Sequence, residues 1–264
     1  MMKALSLAVV SVLAARGSAI AVDPQPQGYL PSGSVDIRRI VPPPPTRGDS
    51  RYASDRKIFR AMKGLIGSSR WTYATADVNY DTRRMMDDFA CAAGFALSAD
   101  ALPATYRLLV RAAADTSRAN AIAKEYWRHP RPFRIDKGAT CESLESLGPS
   151  YDYPSGHTTK GWTLGLILTE LIPDRATPIL TRARAYGESR IVCRVHTASA
   201  VEAGRLGASA VMAAVRATAA FQVDLAAAKT EIARARITTP APDAGKCAAD
   251  AATLSPSVLE ARRR

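Results

Sequence analysis

Apolar residues recur every three to four positions over most of the chain, and runs of alternating β-branched residues are few. This period predicts helices rather than strands. Asp81 can cap one helix, because a carboxylate before the first turn accepts hydrogen bonds from free backbone N–H groups. The inner face of that helix would carry four apolar side chains, Met85, Met86, Phe89 and Phe95.

Prolines limit the longer helices. One would begin at Pro103 and run to the region of Lys124, and Pro130 and Pro132 end it because proline lacks the N–H that a helix interior needs. After a looser segment over 136–154, another opens near residue 156 and stops at Pro173. Further helices are predicted at 177–186, 197–216 and 221–236. Since no repeat is present, we predict an all-α fold, a single helical bundle.

The two ends of the chain differ from this core. Residues 1–21 match a signal peptide, with Lys3 before an apolar run and small residues at Ala19 and Ala21. Arg16 breaks that run, which is shorter than the roughly 20 residues of a spanning helix. We expect cleavage near Ala21 and a periplasmic or secreted protein. The remaining chain would comprise an extended N-terminal arm and first helix (22–80), the helical core (81–237) and a flexible C-terminal tail (238–264).

The formal charge of +12 favours attraction of small anions. Outside residues 262–264 there is no dense run of Lys or Arg interleaved with aromatic residues, so no nucleic-acid partner is expected. After the first 21 residues no segment has the length and apolar composition of a membrane span, so no membrane partner is expected. Homo-oligomerisation stays open.

Four cysteines follow the predicted leader, Cys91, Cys141, Cys193 and Cys247. In an oxidising compartment they predict two disulfides, and three pairings are open. A bridge at Cys193 would brace the candidate residues on either side of it. No Cys-x-x-Cys pair occurs, which argues against a structural zinc site, and no metal site is predicted.

The first candidate constellation is Lys124, followed seven residues later by Arg131 and Pro132. The neighbouring prolines would fix the backbone so that Arg131 turns inward. Arginine offers a planar fork for phosphate oxygens, and lysine acts as a point charge. Taken alone, this pattern also fits a solvated basic face.

The second constellation, Pro154-Ser155-Gly156-His157, stands at the predicted start of a helix. Free backbone N–H groups and the positive end of the helix dipole favour an anion there. Gly156 permits close approach, Ser155 adds a hydroxyl donor, and His157 could give a proton to a leaving oxygen. A capped helix with an incidental histidine is the alternative reading.

The third constellation is Ser189-Arg190, followed by His196. Arg190 supplies another donor fork, and His196 a second imidazole. The chain has only three histidines, and two of them fall in these motifs. The third, His129, is interpreted as structural or peripheral.

Together the three spacings resemble the signature of the phosphatidic acid phosphatase type 2 superfamily. Within it, the segments 153–158 and 187–193 look like those of the class A bacterial nonspecific acid phosphatases. The resemblance extends more loosely from Asp81 to Ala235. It implies a fold of the kind shared with vanadium haloperoxidases, and a helical phosphatase core.

The resemblance also implies an acid phosphatase, a phosphoric monoester hydrolase that needs no metal or other cofactor. His196 matches the nucleophile that forms a phosphohistidine, and His157 matches the general acid. The phosphoryl oxygens would be bound by Lys124, Arg131, Ser155, the Gly156 amide and Arg190. The implied partners are small phosphate esters and inorganic phosphate, and phosphotransferase activity is open. Phosphoryl transfer requires mainly positioning and positive charge, which agrees with these residue types.

One position departs from the signature. The family motif has an aspartate four residues after the nucleophile, and here that residue is Ala200. A carboxylate there would orient the imidazole of His196 and stabilise its positive charge. A backbone carbonyl or a carboxylate from elsewhere would have to substitute. Two alternatives follow: a weakly active or non-catalytic phosphate-binding relative, for which Ala200 is the reason, and a vanadium haloperoxidase that uses the same anion site. Arg194, between Arg190 and His196, would either bind substrate or obstruct it.

Overall fold

The computed structural model describes residues 26–260, and within this range the chain forms helices and connecting segments but no β-strand. The α-helices are α1 (Ser50–Ala61), α2 (Ser69–Ala76), α3 (Thr82–Asp88), α4 (Ala90–Ala93), α5 (Pro103–Trp127), α6 (Pro132–Ile135), α7 (Leu144–Leu147), α8 (Gly156–Leu171), α9 (Ala176–Val192), α10 (Ala198–Arg216), α11 (Ala219–Thr238) and α12 (Ala244–Leu254). Short 3-10 turns occur at Ile37–Arg39, Met62–Leu65 and Pro173–Arg175. The prediction of an all-α fold is confirmed.

Helix α8 lies at the centre, packed on α9, α10 and α5. Its apolar residues Leu164, Ile167 and Leu168 are fully buried. Glycines let α9 approach closely: a Cβ on Gly161 would lie 2.7 Å from the Tyr186 ring, and one on Gly165 would lie 2.5 Å from the Ala183 Cβ. A larger residue at either position would push α8 and α9 apart. This close pairing fixes the relative positions of the second and third sequence motifs.

The helix limits predicted from proline are largely confirmed. Helix α5 begins at Pro103, and α8 ends at Leu171, before Pro173. Helix α9 runs to Val192, beyond the predicted end at 186, and its additional residues 187–192 are all buried. Asp81 caps α3 as predicted, but Gly94 ends the following α4 in the left-handed region at φ 89°, so Phe95 lies outside a helix although it is buried.

The C-terminal segment is a packed part of the fold, which corrects the expected flexible tail. Residues Ala244–Leu254 form α12, and a disulfide joins Cys247 to Cys91 with a Cα–Cα distance of 5.2 Å. Leu254 and Val258 are buried, and the Ser257 hydroxyl donates to Glu188 at 2.8 Å. The apolar contacts and the covalent bridge outweigh the Pro- and Ala-rich composition on which the expectation rested.

At the other end, residues 26–46 contain no α-helix, and two helices, α1 and α2, follow where one was expected. The predicted signal peptide and its cleavage near Ala21 lie outside the described residues. Among those described, no single helix combines the length and apolar character needed to cross a bilayer. Helices α10 and α11 meet that test only jointly, and they are bent by 95° at their junction.

The second disulfide joins Cys141 to Cys193, with a Cα–Cα distance of 4.8 Å. Of the three open pairings, the chain therefore contains 91–247 and 141–193. The Cys141–Cys193 bridge ties the segment between α6 and α7 to the C-terminal end of α9. That end carries the third sequence motif.

Candidate active site

The three motifs meet at one end of the bundle. Helix α5 brings Lys124, the α5–α6 connection brings Arg131, the start of α8 brings Ser155, Gly156 and His157, the end of α9 brings Arg190, and the loop before α10 brings His196. The backbone N–H groups of Val195 and His196 both donate to the Arg190 carbonyl at 3.2 Å. This tight turn places the third-motif histidine beside the third-motif arginine.

Arg190 is a fully buried arginine whose hydrogen bonds are incomplete. Its side chain is 1% exposed, and one nitrogen, Nη2, forms an ion pair with Glu142. Its Nε and Nη1 have no acceptor among the described residues. Buried donors without partners are costly, so these two guanidinium nitrogens are available to an anion.

Arg131 turns inward, as the sequence predicts. Its guanidinium donates to the Ser150 carbonyl at 3.2 Å, the Ser150 hydroxyl at 3.1 Å and the Val195 carbonyl at 2.9 Å. Its Nη1 also donates to His196 Nε2 at 3.1 Å. A phosphoryl group bonded to that nitrogen would replace this hydrogen bond, and the guanidinium would then donate to a phosphoryl oxygen.

Lys124 Nζ donates to the Tyr151 carbonyl at 2.8 Å. Desolvation, followed by the charge of Arg131, lowers the pKa of Lys124 to about 7. A lysine in ordinary surroundings titrates near pH 10.4. Burial and the positive charge of Arg131 therefore both disfavour the charged form of Lys124, and a bound anion would favour it.

The start of α8 has the geometry of an anion site. Ser155 Oγ caps the helix by accepting from Thr158 N at 3.4 Å and from Thr158 Oγ1 at 2.9 Å, which leaves its own hydrogen to donate. A Cβ on Gly156 would meet only Asn120 Nδ2, at 3.6 Å, an ordinary contact. Protein packing does not require glycine there, so the space it leaves serves close approach to the backbone N–H groups.

His157 is held by its ring nitrogen Nε2, which lies 3.0 Å from the Val78 carbonyl. A carbonyl only accepts, so Nε2 carries a proton, and Nδ1 is the nitrogen that remains for proton transfer. The Tyr80 ring lies against the imidazole with centroids 4.1 Å apart. Desolvation and the charge of Arg190 place the pKa of His157 well below its ordinary value.

His196 is buried, and both of its ring nitrogens are hydrogen-bonded. Nδ1 lies 2.9 Å from Asp152 Oδ1, and Nε2 accepts from Arg131. Because an ionised carboxylate only accepts, Nδ1 carries the proton and Nε2 carries the lone pair. Desolvation and the Arg131 charge place the pKa of His196 well below its ordinary value, so this neutral tautomer dominates.

Two charged residues beside the site were missed by sequence reasoning, Asp152 and Glu142. Both contact motif residues across long stretches of chain, and neither lies at a motif spacing. The available signal for Asp152 was a lone carboxylate between two tyrosines, immediately before the second motif. His129, interpreted as structural or peripheral, lies 3.3 Å from the other oxygen of Asp152 and thus one residue removed from His196.

Arg194 neither binds at the site nor obstructs it. Its guanidinium donates to the carbonyls of Phe59 at 3.3 Å and Ala139 at 3.1 Å and stacks on the Phe59 ring, 4.1 Å from the centroid. The residue adopts a left-handed φ of 60°. Ser189 likewise has a structural role, since its hydroxyl donates to Asp77 at 2.6 Å.

Among residues 26–260 no group of three or more His, Cys, Asp or Glu side chains is arranged to hold a metal ion. The groups that converge are cationic donors and two imidazoles. Such a set binds an oxyanion and offers a nucleophilic nitrogen with a proton donor nearby.

Comparison with known proteins gives the family of the chain. The profile of the PAP2 superfamily matches residues 103–223. An acid phosphatase of Zymomonas mobilis subsp. mobilis is 37% identical over 243 residues, which cover 90% of this chain and 92% of that protein. Non-specific acid phosphatases of Salmonella typhimurium and Providencia stuartii are each 31% identical, over 207 and 206 residues, with 77% of this chain and 83% of each relative covered. The chain therefore belongs to the PAP2 superfamily and is a homologue of the bacterial non-specific acid phosphatases.

Proposed function

We propose that this protein is an exported acid phosphatase that hydrolyses small phosphate monoesters through a phosphohistidine on His196. The observation that carries the proposal is Arg190, a buried guanidinium with two unpartnered nitrogens. Its charge acts on His157, and its backbone carbonyl accepts from the His196 N–H. A phosphoryl group satisfies such a fork with two oxygens. The names of the relatives support the same class of activity.

In the first step, the Nε2 lone pair of His196 attacks phosphorus. The P–N bond forms as the P–O bond to the alcohol breaks, and the departing oxygen takes the Nδ1 proton of doubly protonated His157. In the second step, water gives a proton to His157 and its oxygen attacks phosphorus. The P–N bond then breaks, and phosphate leaves with neutral His196 restored.

The cationic side chains would hold the three phosphoryl oxygens through both steps. Arg190 offers two N–H groups, and Arg131 offers the N–H that otherwise bonds His196 Nε2. The Ser155 hydroxyl and the N–H groups at the start of α8 approach from another side. Bound phosphate would raise the pKa of Lys124 and so favour its charged form.

Export is supported by two observations. Two disulfides, one of which joins Cys141 to Cys193 beside the site, suit an oxidising compartment. Residues 1–21 match a leader sequence. N-terminal sequencing of the protein recovered from the periplasm or medium would test the cleavage near Ala21.

The proposed mechanism is tested by hydrolysis of p-nitrophenyl phosphate after dialysis against EDTA, between about pH 4 and 8. Turnover is expected, with competitive inhibition by vanadate. Quenching in base with ³²P-labelled substrate should trap label on His196, and the only other histidines that need to be distinguished are His129 and His157. His196→Ala should abolish labelling. Absence of turnover across this range, or label that persists in His196→Ala, contradicts the proposal.

A non-catalytic phosphate-binding protein is the second candidate, and Ala200 is the observation that favours it. The ring of His196 nevertheless has a carboxylate partner in Asp152, which weakens the reason for that alternative. Phosphate binding without turnover in the same assay would favour the second candidate.

A further inference from the structure

Asp152 is the most completely enclosed charged residue near the site, with 0% of its surface exposed. Its Oδ1 accepts from His196 Nδ1 at 2.9 Å and from the Thr197 backbone N–H at 3.1 Å. Its Oδ2 accepts from the Thr197 hydroxyl at 2.7 Å and from His129 Nδ1 at 3.3 Å. Four donors therefore converge on one carboxylate, and each oxygen contacts one histidine.

The backbone around Asp152 is fixed as firmly as its side chain. Its N–H donates to the His129 carbonyl at 2.8 Å, and three residues on, the Ser155 N–H donates to the Ala200 carbonyl at 3.0 Å. These bonds tie segment 152–155 to the end of α5 on one side and to the first turn of α10 on the other. The carboxylate is thus held in place before any substrate contact.

Position 200 itself faces an apolar neighbourhood. Ala200 is fully buried and clusters with Val41, Tyr153 and Ala203, with Trp127 packed alongside. A carboxylate in this cluster would be desolvated beside Tyr153. The carboxylate that the family motif carries at position 200 is absent here, and another approaches the same imidazole from segment 152–155.

We propose that Asp152 is the positioning residue of His196 and that it performs the task which the family signature assigns to position 200. The inference rests on the proposed function, since it concerns the nucleophile of that reaction. It assigns the task to a residue 44 positions before His196 in the chain. It also implies that His129 helps to orient Asp152 through the other carboxylate oxygen, Oδ2.

The chemistry requires such a partner. With Nδ1–H bonded to Asp152, the lone pair of His196 resides on Nε2, the atom that must attack phosphorus. As the P–N bond forms and the ester P–O bond breaks, the imidazole becomes positively charged, and the ionised carboxylate stabilises it without taking its proton. Burial opposes ionisation of Asp152, but hydrogen bonds from His129, His196 and Thr197 outweigh it and hold its pKa well below the usual range.

The decisive variant is Asp152→Asn, which keeps the shape and removes the charge. With p-nitrophenyl phosphate, kcat is expected to fall by about 10² to 10⁴, while KM stays within about threefold. Asp55→Asn is the matched control: Asp55 is also buried and accepts from the Ser199 backbone N–H in the first turn of α10 at 3.0 Å, but it bonds no histidine. Its kcat should stay within about threefold of the parent.

A second measurement does not depend on turnover. In protein labelled with ¹⁵N-histidine, His196 should titrate as the Nδ1–H tautomer, and its pKa should fall in Asp152→Asn because a stabilising anion is lost. The charged and titratable groups that face this ring are Lys124 on α5, Arg131 before α6, Asp152 before α8 and His157 on α8. If the parent shows no phosphatase activity but this shift occurs, the proposed function fails and the inference stands.

A third variant, Ala200→Asp, keeps the inference falsifiable even where Asp152→Asn does not fold. If Asp152 already orients His196, adding a carboxylate at 200 leaves kcat unchanged or lowers it. A tenfold or greater rise would mean that the parent lacks an effective carboxylate and would overturn the inference. It is overturned equally if folded Asp152→Asn keeps kcat within about fivefold of the parent, or if the pKa of His196 is the same in both proteins.

Discussion

Arg190 offers the sharpest test of the phosphate site, because its role and its contacts can be separated. Replacement by lysine keeps one positive charge, which can still pair with Glu142. It removes the fork whose Nε and Nη1 have no partner among the described residues. The substitution therefore removes the anion-facing donors and leaves the ion pair.

The size of the effect follows from those two donors. A hydrogen bond to a charged group contributes about 1.5 to 3 kcal/mol, so the loss of two amounts to about 3 to 6 kcal/mol. At about 1.4 kcal/mol for each factor of ten, kcat/KM of Arg190→Lys should fall by about 10² to 10⁴. The dissociation constant of vanadate should rise in the same direction.

Arg194→Lys is the matched control. Arg194 lies four residues later and is also buried, and its guanidinium donates to the carbonyls of Phe59 and Ala139. Its replacement should lower the free energy of unfolding by about 1 kcal/mol and leave kcat/KM within about threefold. The assay is initial-rate hydrolysis of p-nitrophenyl phosphate, with circular dichroism and urea unfolding to establish folding. Folded Arg190→Lys with kcat/KM within about fivefold of the parent, or an equal loss in both variants, would refute the reasoning.

Three further predictions concern the same region. Glu142→Gln removes the carboxylate that competes with phosphate for Arg190, so the inhibition constant of inorganic phosphate should fall about fivefold; a rise would show that Glu142 instead aligns the guanidinium. The pKa of His157 is low because of desolvation and the charge of Arg190, so its acid form exists only at low pH. We therefore expect kcat/KM to decline as the pH rises through neutrality, and a kcat/KM that increases from pH 6 to 8 would contradict this. Replacing Cys141 and Cys193 by serine removes a disulfide that closes a loop of 52 residues, and the free energy of unfolding in urea titrations should fall by about 4 kcal/mol. A loss below about 1 kcal/mol would mean that the disulfide adds little to stability.

The helices and the predicted phosphate ligands were accessible from the sequence because their signals are local. Pro103 marks the start of α5 and Pro173 follows the end of α8, because proline restricts the backbone within one turn. The capping role of Ser155 likewise depends only on its neighbours in the sequence. The spacing of Lys124 and Arg131 across a helix end is local too. These are the parts of the site that a linear pattern records.

The partners of those residues could not be found in this way. Asp152 reaches His196 across 44 residues, and Glu142 reaches Arg190 across 48, through packing that no period in the sequence encodes. Arg194 was ambiguous for the same reason, since its partners Phe59 and Ala139 are distant in the sequence. The packed C-terminal helix was missed because the disulfide between Cys91 and Cys247 was one of three pairings that the sequence left open.

The short stretch from Asp77 to Asn79 touches both of the central helices. Asp77 accepts from Ser189 and from Arg182 on α9, the Val78 carbonyl holds His157 on α8, and the Asn79 carbonyl accepts from Tyr186 at 3.1 Å. The proposed proton donor, His157, and the helix that carries Arg190 are thus both hydrogen-bonded to the same three residues. A displacement of α2 would therefore move His157 and α9 together, and the distance between them would change little. An insertion between 77 and 79 would uncouple them, which makes this strip a poor site for loop grafting even though it lies outside every sequence motif.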